Sequence, residues 1–148
     1  MANDNLECPV DFVTIDEYRA RLVAFIVLLL GITCLMTLNL GVAFFMLADF
    51  VLRAFNLNRY SPLSFIARGL LHVFGKKPKP VDRAPKRFAA FVGLAFLLAV
   101  TISLLSSTPV FSRILLAILI AFAALESLAG FCAGCYVYTY LKRFGLIR

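Results

Sequence analysis

The chain has 148 residues, 62% of them hydrophobic and 16% charged, with a formal net charge of +7 and a mean hydropathy of +0.93. Soluble domains hold about 45–50% apolar and about 25% charged residues, and a domain this small still leaves about a third of its surface in water. An ordinary soluble domain is thereby excluded, and the lipid bilayer is the expected partner.

The basic residues gather in polar segments between long apolar runs, so the positive charge reads as membrane topology rather than nucleic-acid binding. There is no Gly-rich phosphate loop and no basic-aromatic platform for stacking bases, and no nucleic-acid partner is expected. The segment 1–21 carries Asp4, Glu7, Asp11, Asp16 and Glu17, the wrong charge for the start of a signal peptide. Four clustered cysteines in so apolar a chain do not suggest a secreted disulfide framework.

In chain order, residues 1–21 form a cytoplasmic N-terminal segment containing Cys8-Pro9. Thr14-Ile15-Asp16-Glu17 has the form of a capping box and predicts a helix running on to about Met36. Residues 22–55 make a first helical hairpin. As one helix this apolar run would measure roughly 45 Å against a hydrocarbon core of about 30 Å, so a turn is expected near Leu38-Asn39-Leu40-Gly41, with Asn39 capping the second helix. A single tilted helix is the alternative. Asp49 and Arg53, four residues apart, form an acid–base pair where that span ends.

Residues 56–87 form a cytoplasmic loop holding Arg59, Arg68, Lys76, Lys77, Lys79, Arg83, Lys86 and Arg87 against Asp82. Ser61-Pro62 opens and Gly75 closes a helix over 62–74. Its Ser64, Arg68 and His72 make one narrow polar stripe, which suits a helix lying in the membrane interface. Pro78, Pro80 and Pro85 predict an extended connector. Residues 88–141 make a second hairpin, turning at Ser106-Ser107-Thr108-Pro109, its last helix continuing through Cys132 and Cys135 to Tyr140. A basic tail, 142–148, follows.

The fold class expected is all-α: a polytopic membrane protein with four transmembrane helices as two hairpins, and an interfacial amphipathic helix in the middle loop. The positive-inside rule puts both termini and the middle loop in the cytoplasm. Arg21-Leu-Val-Ala-Phe25 is similar to Arg87-Phe-Ala-Ala-Phe91, and Asp49 and Glu126 fall late in the second helix of each hairpin. Two hairpins in one orientation would be a parallel repeat.

Cys8-Pro9, Asp49-x-x-x-Arg53-Ala54, Tyr60-Ser61-Pro62-Leu63, Ala84-Pro85-Lys86-Arg87-Phe88-Ala89 and Phe131-Cys132-x-Gly134-Cys135-x-x-Tyr138 together resemble a bacterial membrane family numbered 4395 among the domains of unknown function. The resemblance covers nearly the whole chain. It implies a small multi-pass protein of the bacterial inner membrane and no established reaction; a thioredoxin-like or sulfurtransferase protein enters as a partner by association with that family alone.

Cys132-Ala-Gly-Cys135 is the leading chemical candidate. Three residues apart on a helix, the two thiols share one side and could act as a redox pair, or they could be small packing residues beside Gly130 and Gly134. Cys8, in a polar tail with no packing role, could exchange with that pair through a mixed disulfide. With His72 the three thiols would make a Cys3His set, but the spacings match no zinc pattern and no metal or other cofactor is assigned. Glu126 sits inside the last apolar run, where an acid faces a protein interior or a water path; Arg53 and Arg87 are its expected partners. The leading function is thiol redox or handling of sulfur species. The alternatives are a small-solute channel or carrier with Glu126 in the path, and a scaffold subunit without chemistry. Whether the protein is an enzyme, and whether it forms an oligomer, the sequence leaves open.

Overall fold

Two successive segments of the same design build the fold, seen in a computed structural model that describes residues 14–57, 59–75, 77, 80–130 and 133–146. The first runs β1 (Thr14–Asp16), α1 (Glu17–Thr37), α2 (Leu40–Ala54) and α3 (Pro62–Phe74). The second runs β2 (Pro80–Asp82), α4 (Arg83–Leu105), α5 (Pro109–Ala124) with a π-helical extension over Leu125–Ala129, and α6 (Ala133–Arg143).

Local chemistry sets the boundaries. Asp16 caps α1, its side chain accepting from the Tyr18 N–H at 3.1 Å. This corrects the expected capping box: Thr14 is committed to β1, opposite Asp82. Asn39 caps α2 by accepting from the Gly41 N–H at 2.7 Å. Ser61 caps α3 ahead of Pro62, and the helix closes at Gly75. α4 starts at Arg83 rather than Phe88, because a proline in the first helical turn gives up only an N–H that would be unbonded anyway.

The segments exchange partners across an approximate two-fold axis. α1 packs on α5 and α4 on α2, while α3 packs on α1 and α6 on α4. β1 and β2 pair antiparallel, with Asp16 opposite Pro80, as such an axis requires. Arg87 Nε donates to the Ala54 carbonyl at the end of α2 at 3.0 Å, and the Arg21 guanidinium lies against Gly130 at the end of α5. α1 and α4 therefore both start at one end of the bundle, where the ion pairs of the described residues gather. At the other end Cys34, Ala43, Val100 and Leu116 form an apolar cluster, and hydroxyls of Ser103, Thr108 and Ser112 bond one another across the α4–α5 turn. The main core lies between, around Val27, Met46, Phe50, Leu97 and Leu119.

Three helices are long and apolar enough to cross a membrane: Glu17–Thr37, Lys86–Leu105 and Pro109–Ala129. Four were expected. α2 has 15 residues, roughly 22 Å of helix against a core of about 30 Å. It ends at Ala54, after which the chain turns toward α3.

A second correction concerns the last helix. α5 does not continue to Tyr140. It loosens into a π-helical turn, ends at Gly130 in the left-handed region (φ 67°), and α6 starts anew. Any Cβ at Gly130 would both strain that backbone and strike the Arg21 guanidinium. The polar stripe on α3 is also divided: Ser64 faces the bundle with Leu63, Ala67 and Leu71, while Arg68 and His72 are exposed beside Phe65, Val73 and Phe74.

Candidate functional site

At the charged end, between the two segments, lies a cavity of about 370 Å³, within the range of ligand sites. Its walls descend about two to three helical turns along each long helix. On α1 they run from Arg19 to Val27, on α4 from Lys86 to Phe96, and on α5 from Glu126 back to Leu119. The outer ring holds Arg19, Arg53, Lys86, Arg87 and Glu126; below it the lining is apolar, including Val27, Phe96, Leu119 and Ala123. Ser64 of α3 and Gly134 of α6 reach the same space. Gly134 is required for that approach: a Cβ there would come within 2.5 Å of the Ala89 Cβ and 2.7 Å of its Cα.

Positive charge exceeds negative in the outer ring. Glu126 pairs with Lys86 at 3.4 Å. This corrects the expected partners, Arg53 and Arg87, which the two-fold arrangement commits to α2 instead. Arg53 stacks over the Phe50 ring at 4.8 Å, with its Nη1 at 3.7 Å from Asp49 Oδ2. Both of those atoms are buried without a hydrogen bond. Arg19 is repelled by Arg68 and Arg53 and attracted by Asp16. Arg87 is held by the Ala54 carbonyl and lies over the Phe91 ring at 5.8 Å.

Asp49 does more than pair with Arg53. It is fully buried, and its Oδ1 accepts from the Ser61 hydroxyl and from the Leu63 N–H, the latter at 3.3 Å. The carboxylate therefore reaches across from α2 to the N-terminus of α3, where it complements unbonded N–H groups and the helix dipole. Its role is to hold α3 against the bundle.

Cys8 and Cys132 lie outside the described residues. Cys135 stands in the first turn of α6, beside a shallow pocket formed with Tyr136, Thr139, Tyr140 and Arg143. Its neighbours Ala133, Gly134 and Val137 line the main cavity instead, so Cys135 and Glu126 serve different spaces. Cys34 is fully buried at the opposite end, and His72 is exposed on α3. Among the described residues no three His, Cys, Asp or Glu side chains gather as a metal site.

Sequence reasoning missed Lys86 and Arg19 as residues of the site and the bond from Asp49 to α3. The signal for Asp49 was present: Ser61-Pro62 announces a helix N-terminus, a natural target for a buried carboxylate.

Comparison with curated proteins and with solved structures finds no match. A family model described as "Domain of unknown function (DUF4395)" matches residues 15–143. That match takes in every helix and the whole lining of the cavity, and the chain belongs to this family.

Proposed function

We propose that the protein is a multi-pass carrier or binding protein of the bacterial inner membrane, taking a small solute into the cavity between its two segments. The observation that carries this reading is the cavity itself: an acid, Glu126, sits on its wall in a π-helical turn, a distortion frequent at functional sites, and the ring around it is basic. In this reading α2 is the fourth crossing, a short one, because it returns the chain to the charged end where α1 began. The positive-inside rule then places that end, the loop 56–87 and both termini in the cytoplasm. α3 lies in the interface with Phe65, Val73 and Phe74 toward lipid.

The test uses a background in which the four native cysteines are replaced by alanine. Val23→Cys, on the cavity wall, should react with a membrane-impermeant thiol reagent from the face bearing loop 56–87. Val100→Cys, buried at the other end, should react from neither face. A folded protein in which Val23→Cys stays unreactive overturns the proposal.

A second reading, thiol redox through Cys132 and Cys135 with Cys8 as exchanging thiol, is favoured by one observation. Cys135 belongs to the first turn of a new helix rather than the end of an old one, and helix N-termini are where redox thiolates are favoured. A thioredoxin-like or sulfurtransferase protein would be its partner. Alkylation after oxidation and after reduction should then show Cys132 and Cys135 switching together between protected and labelled.

A further inference from the structure

We infer that the ligand of the cavity is a single-chain amphiphilic anion, its acidic head in the ring of Arg19 and Arg53 and its tail along Val27, Phe96 and Leu119. The inference rests on the carrier reading above and names its ligand. Three observations carry it.

The first is polarity along one axis. The cavity wall on α1 passes from a cation at Arg19 to an apolar residue at Val27, a descent of about 12 Å at 1.5 Å per residue. α4 and α5 grade the same way, from Lys86 to Phe96 and from Glu126 to Leu119. A purely polar solute would leave the deeper wall unmatched, and a purely apolar one would strip water from the guanidinium groups without return.

The second is uncompensated charge. Of the four cations in the ring, Lys86 has its partner in Glu126. Arg53 has a carboxylate at 3.7 Å but a buried Nη1 with no hydrogen bond. Arg19 meets two like charges, Arg68 and Arg53, against one acid, Asp16. Burying more positive than negative charge is costly, and one anion placed between Arg19 and Arg53 would offset the excess at both. Phe50 orients the Arg53 fork from below, leaving a planar donor set suited to a carboxylate or another oxyanion.

The third is size. At about 30 Å³ for each water-sized group, 370 Å³ holds about a dozen such groups, room for one head and one short chain.

The experiment uses the full chain in lipid nanodiscs. The probe is a decanoate analogue with a photoreactive diazirine in its tail, whose carboxylate and chain make roughly a dozen heavy atoms; labelled positions are read by mass spectrometry. The expected result is labelling at Val27, Phe96 or Leu119, competed by decanoate but not by decanol or sulfate. Arg19→Gln should lower that labelling at least about tenfold, the loss of one charge-assisted contact. It removes two repulsions, from Arg68 and Arg53, against one attraction, to Asp16, so it should melt close to the parent. Labelling confined to outward-facing residues such as Phe44, Ile102 or Ile118 would overturn the inference. So would competition by decanol equal to that by decanoate, or labelling indifferent to Arg19→Gln. If Val23→Cys is accessible while the probe labels only the outside, the ligand class alone is wrong; if Val23→Cys is inaccessible, the carrier reading fails with it.

Discussion

Asp49→Ala should release α3 from the bundle, and the size of the effect follows from the hydrogen bonds that the carboxylate accepts. Asp49 Oδ1 accepts from the Ser61 hydroxyl and the Leu63 N–H, in a place where Asp49, Ser61 and Leu63 are all fully or almost fully buried. Alanine leaves both donors buried and unbonded. Loss of a hydrogen bond to a buried charged group costs about 1.5–3 kcal/mol, and loss of a helix cap about 1 kcal/mol. The attraction to Arg53, whose buried Nη1 lies 3.7 Å from Asp49 Oδ2 without a hydrogen bond, adds to these two terms. The two terms sum to about 2.5–4 kcal/mol, or roughly 8–12 °C in the melting temperature at about 3 °C per kcal/mol for a chain of this size.

Two measurements check this. Thermal melting of the purified protein in detergent should show the fall. Limited proteolysis should show new cleavage in the α2–α3 connector, residues 55–60. Asp49→Asn keeps a carbonyl acceptor for Ser61 and Leu63 and should lose only about 1 kcal/mol. If Asp49→Ala melts within about 0.5 kcal/mol of the parent, the range of an ordinary surface change, the capping argument is wrong. If Asp49→Asn is as damaging as Asp49→Ala, the charge opposite Arg53 dominates instead.

Other parts of the bundle respond in their own ways. Gly134→Leu should cost about 1–3 kcal/mol by overpacking against Ala89, read as a lower melting temperature. Gly69→Ala, in the interior of α3 with open space around it, should raise stability by about 0.5–1 kcal/mol through helix propensity. Ser103→Ala removes the hydroxyl that Thr108 and Ser112 both meet, at 2.6 and 2.9 Å; melting should drop by the equivalent of about 1–2 kcal/mol. Cys34, fully buried, should resist maleimide in the folded protein and react once denaturant is added.

Much of the fold was legible because its boundaries are set by local chemistry. Asn39, Ser61-Pro62 and Gly75 each act through bonds to residues a few places away, and they sit where their types predict. The apolar runs are equally plain, since lipid contact demands an unbroken stretch of one kind of residue. What was hidden depends on pairs distant in sequence. No local rule makes Lys86 the partner of Glu126, forty residues on; that follows from α4 starting where α5 ends. The break at Gly130 was hidden for a similar reason. A glycine four places from Gly134 looks like a smooth packing face, yet Gly130 is a left-handed stop beside the Arg21 guanidinium of α1, while Gly134 packs on Ala89 of α4.

The repeat explains why the cavity lies where it does. Arg21 and Arg87 hold equivalent places, each at the start of a long helix and each against the end of the other segment's second helix. Such cross-contacts lock the segments together at the charged end while leaving the axis between them to be filled by side chains. On α1 that axis receives Val23, Ala24 and Val27, and on α4 Ala89, Ala90 and Gly93, residues too small to close it. The two acids then diverge. Asp49 is consumed in holding α3, whereas α6 needs no such tie because Gly134 lets it pack directly on Ala89. That frees Glu126 from a structural bond to α6 and leaves it on the cavity wall with Lys86. Asp49 tied to α3 and Glu126 left on the cavity wall are where the two segments of this fold differ.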